Sequence, residues 1–132
     1  MKQKLHSLLL LVVLLSWSIV IAASDFDDGI LKYTITSPEN LGVQCDGFTD
    51  AHKNDTCLII PDIVSYNGQL YSVCELDEDA FECCKSLVSV NLDKSKLTFL
   101  SEGAFNGCTN LVSVTLSPNI KRIRDYAFSE CI

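Results

Sequence analysis

The most reactive side chains in this chain are its seven cysteines, all of which lie beyond residue 24. A cysteine nucleophile needs a base beside a thiol of low pKa, and His52 is the single histidine in that part of the chain. Cys45, His52 and Cys57 supply three potential zinc ligands, but the sequence has no C-x-x-C motif and no obvious fourth ligand. We therefore predict no catalytic residue, no metal site and no cofactor.

Three of the cysteines recur at a fixed place in an internal repeat. Phe81, Phe105 and Phe128 are 24 and 23 residues apart. The same two spacings separate Cys84, Cys108 and Cys131. A period of this length is in the range of leucine-rich repeats. Free cysteine often packs as a small hydrophobic residue, so we predict that these three thiols face the core.

The other four cysteines are predicted to form two local disulfides, Cys45–Cys57 and Cys74–Cys83. In the next two repeat units the positions of Cys74 and Cys83 hold polar residues or glycine, which is typical of exposed positions. Closing a loop of about twelve residues, as between Cys45 and Cys57, stabilises by about 3 kcal/mol in the chain-entropy model. An exported protein also meets the oxidising compartment in which such bonds persist.

Each repeat unit contains a short strand, of which residues 112–116 are the clearest. Successive side chains of a strand point to opposite faces, so Val112, Val114 and Leu116 are predicted to face a core and the residues between them to face water. Stacked units can bury these apolar faces by pairing their strands in parallel, about 4.8 Å apart, with the phenylalanines in a ladder. The segment A-F-x-x-C-x-x-L has apolar residues three apart, which predicts a helical or 3₁₀ turn on the outer side.

Residues 1–24 have the composition of a secretory signal peptide. Lys2 and Lys4 precede an apolar stretch that ends in small residues at positions 22–24. The stretch is interrupted by two serines and is shorter than the ~20 residues that a membrane-spanning helix needs. We predict that this leader is cleaved and that no membrane span remains.

The remaining chain is predicted to divide into an N-terminal β cap at residues 25–57 and about three leucine-rich repeats, the last one incomplete, at residues 58–132. Apolar and polar residues alternate over residues 31–35 and again over 41–45, on either side of a turn sequence. This pattern predicts a β-hairpin that covers the N-terminal end of the stacked repeats. A polar loop follows, in which Asn54 begins an N-glycosylation sequon.

Charge limits the class of partner. Beyond residue 24 the chain carries seventeen acidic and eight basic residues, which gives a formal charge of −9. An acidic chain repels a phosphate backbone, so nucleic acid is not expected as a partner.

The repeat unit resembles a known family. The pattern A-F-x-x-C-x-x-L-x-x-V-x-L, led by I-x-x-I, is similar to the BspA-like leucine-rich repeats, and residues 59–61 and 67–73 resemble the lead-in of that family. Such repeats occur in surface proteins of oral and gut bacteria and of parasitic protists. The resemblance, over roughly residues 30–132, implies an α/β leucine-rich-repeat solenoid with short parallel strands, helical or 3₁₀ outer turns and an N-terminal β-hairpin cap. It also implies adhesion or partner binding at a cell surface, with no shared catalytic residues.

We therefore predict a secreted or cell-surface module, without catalysis, that binds a protein, an extracellular-matrix component or another host-surface partner. The outward strand residues are predicted to make the contact, at Ser89, Asn91, Ser113 and Thr115. The alternative is a structural fragment or truncated paralogue of a longer repeat protein, with no ligand of its own. The sequence ends at Ile132 without the polar cap that a solenoid end needs, so the isolated chain is expected to self-associate or to be marginally stable.

Overall fold

The computed structural model describes residues 25–132, which form ten short β-strands in three sheets. The predicted signal peptide at residues 1–24 lies outside the described residues. Within the described range, no helix has the length and apolar character needed to cross a membrane. The strands are β1 (Asp25–Asp27), β2 (Leu31–Ser37), β3 (Gly42–Phe48), β4 (Cys57–Ile59), β5 (Ile63–Tyr66), β6 (Gln69–Leu76), β7 (Ser89–Asn91), β8 (Phe99–Leu100), β9 (Ser113–Thr115) and β10 (Arg122–Ile123).

Five of these strands form an N-terminal sheet in the order β1-β2-β3-β6-β5. Strands β2 and β3 pair antiparallel around a turn at residues 38–41, which confirms the predicted β-hairpin. The hairpin is part of a larger sheet, because β6 pairs in parallel with β3 and antiparallel with β5. Alternate residues of the hairpin are almost completely buried, namely Leu31, Tyr33, Val43 and Cys45. One face of the sheet therefore packs into the core.

The N-terminal sheet contacts the repeats through β3. The Phe48 ring packs edge-on against Phe81, with 5.2 Å between the ring centroids. The Asp77 N–H donates to the Cys45 carbonyl oxygen over 2.9 Å. These contacts shield the first phenylalanine of the repeat ladder from water, which is what a terminal cap must do.

The repeats stack through two parallel sheets. Strands β4, β7 and β9 form one sheet, with Cys57, Ser89 and Ser113 in register across it. Strands β8 and β10 form the other, with Phe99 opposite Arg122. The predicted parallel pairing is thereby confirmed, and β4 is the first strand of the stack. The units at residues 87–107 and 111–130 each contain two short strands and an outer turn.

The outer turns contradict the predicted helical or 3₁₀ segments. Residues 25–132 contain strands and turns but no helix, so the α/β class is wrong for this part of the chain. In every turn the residues two before and two after the phenylalanine have positive φ: Asp79 and Cys83, Gly103 and Gly107, Tyr126 and Glu130. A left-handed residue at every fourth position interrupts the run of right-handed φ values that a helix requires.

The positive-φ residues also redirect backbone hydrogen bonds to the neighbouring coil. The Phe81 N–H donates to the Ala104 carbonyl oxygen over 3.0 Å, and the Phe105 N–H donates to the Ala127 carbonyl oxygen over 2.8 Å. In a helix both donors would instead bond within their own turn. The turns are therefore a third side of the stack on which adjacent coils are hydrogen-bonded.

The three repeated phenylalanines form the ladder that their spacing predicts. Phe81 and Phe105 stack with 5.4 Å between centroids and 8° between planes, and Phe105 and Phe128 stack with 5.4 Å and 7°. Phe81 and Phe105 are fully buried, whereas Phe128 is half-buried. The rings therefore form a continuous stack along the axis of the repeats, to which each coil contributes one phenylalanine.

Two of the three predicted core residues of this strand are exposed, and Val112 is the more exposed of them, at 83%. The N–H groups of Val112 and Ser113 both donate to the carbonyl oxygen of Val88, so two residues of one coil oppose one residue of the preceding coil. Such a bulge breaks the alternation of a strand, which holds here over residues 113–115. Leu116 is also exposed, while its counterpart Leu92 is fully buried between two coils.

Candidate interaction surface

Parallel pairing brings the four predicted contact residues together on one surface. Ser89 and Asn91 lie on β7, directly opposite Ser113 and Thr115 on β9. Val90 on β7 and Val114 on β9, which separate the two contact residues of each strand, pack into the core. The four contact side chains therefore point outward. Ser89 and Asn91 are half-buried, and the two residues on β9 are exposed. Their role in binding stays a prediction.

Strand β4 and the starts of β7 and β9 extend this surface with residues that the sequence interpretation missed. Cys57 and Ile59 are in register with the outward residues of β7, and Ile59 is 67% exposed. Val112 adds an exposed apolar side chain beside the bulge, and Val88 adds another where its own N–H and that of Ser89 both donate to the Thr56 carbonyl oxygen. The signal in the sequence is the strand alternation at Leu58, which is buried and so directs Cys57 and Ile59 outward. We define the strand face as Cys57, Ile59, Val88, Ser89, Asn91, Val112, Ser113 and Thr115.

The strand face is built from short side chains without formal charge. It contains no acidic, basic or aromatic residue. The Asn91 Oδ1 atom accepts a 2.9 Å hydrogen bond from the Asp93 N–H, which fixes the orientation of the amide. Hydrogen bonding from the Ser89 side chain, and then from Thr56, lowers the pKa of the Cys57 thiol. The face can therefore offer hydroxyl, amide and thiol groups beside small apolar side chains to a broad partner.

The four cysteines that were assigned to disulfides are free thiols in the structure. Cys45 is buried on β3, whereas Cys57 is exposed on β4 in a different sheet. Cys74 lies against β3, since a Cβ atom placed on Gly42 would be 3.8 Å from its Sγ. Cys83 is exposed on an outer turn. Neither pair is bonded in the structure, and both pairings stay predictions.

The three repeated cysteines pack where the sequence predicts. Cys108 is completely buried, and Cys84 and Cys131 are half-buried against the core. The Cys108 Sγ donates to the Phe81 carbonyl oxygen over 3.2 Å, and the Cys131 Sγ donates to the Phe105 carbonyl oxygen over 3.0 Å. Each of these two thiols thus bonds to the preceding coil. Burial raises the pKa of the Cys108 thiol to about 12, so it stays protonated at neutral pH.

Thiol reactivity in the reduced, folded protein should follow these environments. At about pH 8 we expect iodoacetamide to modify the exposed Cys57 first, because its lowered pKa supplies thiolate at lower pH than an ordinary cysteine does. Cys45 and Cys108 should stay unmodified until the chain unfolds, since burial raises the pKa of each to about 12. Peptide mass spectrometry over time gives the order. Rapid modification of Cys108 in the folded protein would contradict its burial in the core. Peptide mapping of the protein before reduction tests the two predicted disulfides.

The polar loop between β3 and β4 carries the remaining candidates for chemistry. The His52 Nδ1 atom lies 2.8 Å from Asp55 Oδ2, and both side chains are partly exposed. Within residues 25–132 no three His, Cys, Asp or Glu side chains are grouped so as to hold a metal ion. Asn54 is exposed on the same loop, as an acceptor of a glycan must be, and its glycosylation stays a prediction.

A scan against protein families finds one match in the repeat region. The model of the BspA type leucine-rich repeat region matches residues 63–132 in six copies. No curated protein is significantly similar to the chain.

Three solved leucine-rich repeat proteins share the fold. The chain is similar to one from Bacteroides ovatus with 25% identity and a TM-score of 0.72, over 82% of this chain and 27% of that one. A second, from Bacteroides capillosus, shows 27% identity and a TM-score of 0.69 over 80% of this chain and 74% of that one. A third, from T. pallidum, shows 25% identity and a TM-score of 0.64 over 82% of this chain and 46% of that one. The chain therefore spans about a quarter of the Bacteroides ovatus protein and less than half of the T. pallidum protein.

Proposed function

Because the chain belongs to the BspA-type leucine-rich repeat family, we propose that it is a non-catalytic protein-interaction module whose partner binds the strand face. One observation carries the proposal. Three strands in register present rows of outward side chains that are uncharged and at least partly exposed. Stacked parallel strands of this kind form the extended binding surface of solenoid proteins.

The composition of the strand face limits the strength of the proposed interaction. It has no Trp, Tyr or Arg, the residues that most often anchor a tight interface. Its small hydroxyl and amide groups suit a broad contact better than a deep pocket for a small molecule. We expect a single face of this size to bind weakly, with useful affinity arising when several binding sites act together.

We further propose that the module is secreted or displayed on the cell surface and binds an extracellular-matrix or host-surface protein. The leader-like composition of residues 1–24 supports export. The formal charge of −9 beyond that leader keeps such a protein soluble and does not favour nucleic acid as a partner. In a eukaryotic secretory pathway, Asn54 would carry a glycan on the exposed loop.

The test adds bulk and charge to the strand face without changing the core. The double variant Ser89→Arg and Ser113→Arg should lose at least about tenfold in affinity for an immobilised extracellular-matrix protein, because two long cations replace adjacent short hydroxyls at the proposed contact. Binding to a panel of such proteins is measured by surface plasmon resonance. A matched control, Thr36→Arg with Ser65→Arg, adds the same charge at exposed positions of the N-terminal sheet. Equal binding by both double variants would show that the strand face is not the site.

A second function is proposed from the exposed apolar groups of the unit at residues 111–130. Leu116 and Ile123 are 41% and 50% exposed, whereas the equivalent Leu92 and Leu100 are fully buried. Exposed apolar groups of this kind can pack against another repeat unit, and in this reading the chain has a structural role and no ligand of its own. Absence of binding to every matrix protein tested, with a correctly folded parent, would favour this reading over adhesion.

A further inference from the structure

The face formed by β8 and β10 differs in charge from the rest of the molecule. Both arginines of the chain, Arg122 and Arg124, lie there together with Lys121, and Lys96 lies in the segment that leads into β8. These four residues, which we call the basic strip, are exposed and make up half of the eight lysines and arginines beyond residue 24. They belong to two successive coils, and the parallel stacking of the coils brings them onto one side.

The cations of the basic strip are not used in ion pairs. Among residues 25–132 the His52–Asp55 pair is the sole contact within 4.0 Å between a basic and an acidic side chain. Each arginine and lysine of the strip therefore lacks a carboxylate at that distance. The nearest acidic residues along the chain, Asp93, Glu102 and Asp125, lie in the connecting turns. Lys96 makes one weak contact, with its Nζ 3.4 Å from the Ser72 Oγ.

One cation of the strip is held in place by an aromatic ring. The Arg124 guanidinium carbon lies 4.3 Å from the centroid of the Phe99 ring. Stacking on a ring restricts a long side chain and leaves the N–H groups at the edge of the guanidinium pointing away from the ring. Beside this pair, Thr98, Phe99, Lys121 and Arg122 line a shallow concavity of about 360 Å³. The strip thus combines a positioned guanidinium with further exposed cations around a depression.

We propose that the basic strip is a second interaction surface, separate from the strand face, that binds a short acidic segment of a partner protein. A guanidinium presents paired N–H donors whose geometry matches a carboxylate, and the neighbouring cations supply further charge. The backbone N–H groups of Lys121 and Arg124 are already used, because they donate to the carbonyl oxygens of Thr98 and Leu100. Recognition therefore rests on the side chains.

The charge of the whole chain favours a short acidic segment over a long polyanion. Seventeen acidic and ten basic residues give the chain a formal net charge of −7, and the outer turn that follows β6 carries Asp77, Glu78, Asp79 and Glu82. An extended sulfated polysaccharide that ran beyond the strip would meet such carboxylates and be repelled by them. A short peptide confined to the strip interacts mainly with charges within about 8 Å at physiological salt.

The experiment measures binding of a fluorescein-labelled oligoglutamate peptide of about four residues, which spans at most about 14 Å and so stays on the strip, to the chain by fluorescence anisotropy. The parent should bind at low salt and weaken as salt is raised to about 0.5 M, since the contact is electrostatic. The double variant Arg122→Gln and Arg124→Gln should lose at least about tenfold in affinity. The variant Arg124→Lys, which keeps the charge but not the planar fork, should lose a few-fold.

The control Lys53→Gln with Lys85→Gln removes the same two charges from exposed positions outside the strip and should bind within about twofold of the parent. Circular dichroism checks that all variants are folded. No binding by the parent, or equal loss in strip and control variants, would overturn the proposal. So would strip-dependent binding of heparin, as a sulfated polysaccharide, without binding of the acidic peptide.

Discussion

Replacing Phe105 with alanine is expected to lower the free energy of unfolding by about 4 kcal/mol. The ring is fully buried and stacks on both sides, 5.4 Å from Phe81 and 5.4 Å from Phe128. Truncation removes the transfer free energy of the largest fully buried side chain of its coil and leaves a cavity between two rings. The Phe105 N–H donates to Ala127 of the next coil, and the Phe81 N–H of the preceding coil donates to Ala104. Neither neighbouring coil can therefore move into the cavity without stretching one of these bonds.

Phe128 provides the matched control for this prediction. It has the same residue type and repeat position, but one of its faces is not covered by another ring and it is half-buried. Phe128→Ala should therefore cost about half as much as Phe105→Ala. Urea unfolding followed by circular dichroism gives both values. Equal losses would show that the ladder does not stabilise the repeats through two-sided stacking, and a small loss at Phe105 would show that the coil can collapse around the cavity.

The ladder and the strand pairing could be predicted from the sequence because a fixed period places equivalent residues one above another. Spacing alone identifies Phe81, Phe105 and Phe128 as neighbours, although they are far apart in the chain. The outer turns could not be predicted in the same way. Apolar residues three apart fit a helix and also fit successive turns. The deciding signal is glycine at positions 103 and 107, each at a place that needs positive φ.

The candidate surfaces were predictable to different extents. Ser113 and Thr115 follow from simple alternation within β9, whereas Val112 does not, because a bulge precedes the strand. The β4 residue Cys57 was assigned to a disulfide by its spacing from Cys45, and its place on the strand face depends on pairing with a strand 32 residues later. The basic strip is harder still to find. Its members belong to two coils and become neighbours only through the register of β8 and β10.

Replacing Gly47 with alanine is expected to destabilise the protein by about 3 kcal/mol or more. Gly47 lies on β3 and has φ of +123°, a conformation that residues with a Cβ rarely adopt. A Cβ atom at this position would clash with the carbonyl oxygen of Ala80, which is backbone and cannot rotate away. Ala80 precedes the first phenylalanine of the ladder, so relief of the clash must separate the N-terminal sheet from the repeats.

Two other glycines separate the cost of backbone strain from the cost of the clash with Ala80. Gly29 and Gly68 also have positive φ, at +96° and +78°, but a Cβ atom on either would meet nothing within 4 Å. Gly29→Ala and Gly68→Ala should therefore cost only the backbone strain, about 1 kcal/mol each. Urea unfolding of the three variants measures the difference, which reports the contact between Gly47 and Ala80. If Gly47→Ala is no worse than these controls, the two backbones are not in close contact and β3 does not hold the N-terminal sheet against the first outer turn. If the two backbones are in contact, Gly47→Ala should also expose Phe81, and hydrogen exchange of its amide should become faster before the later coils unfold.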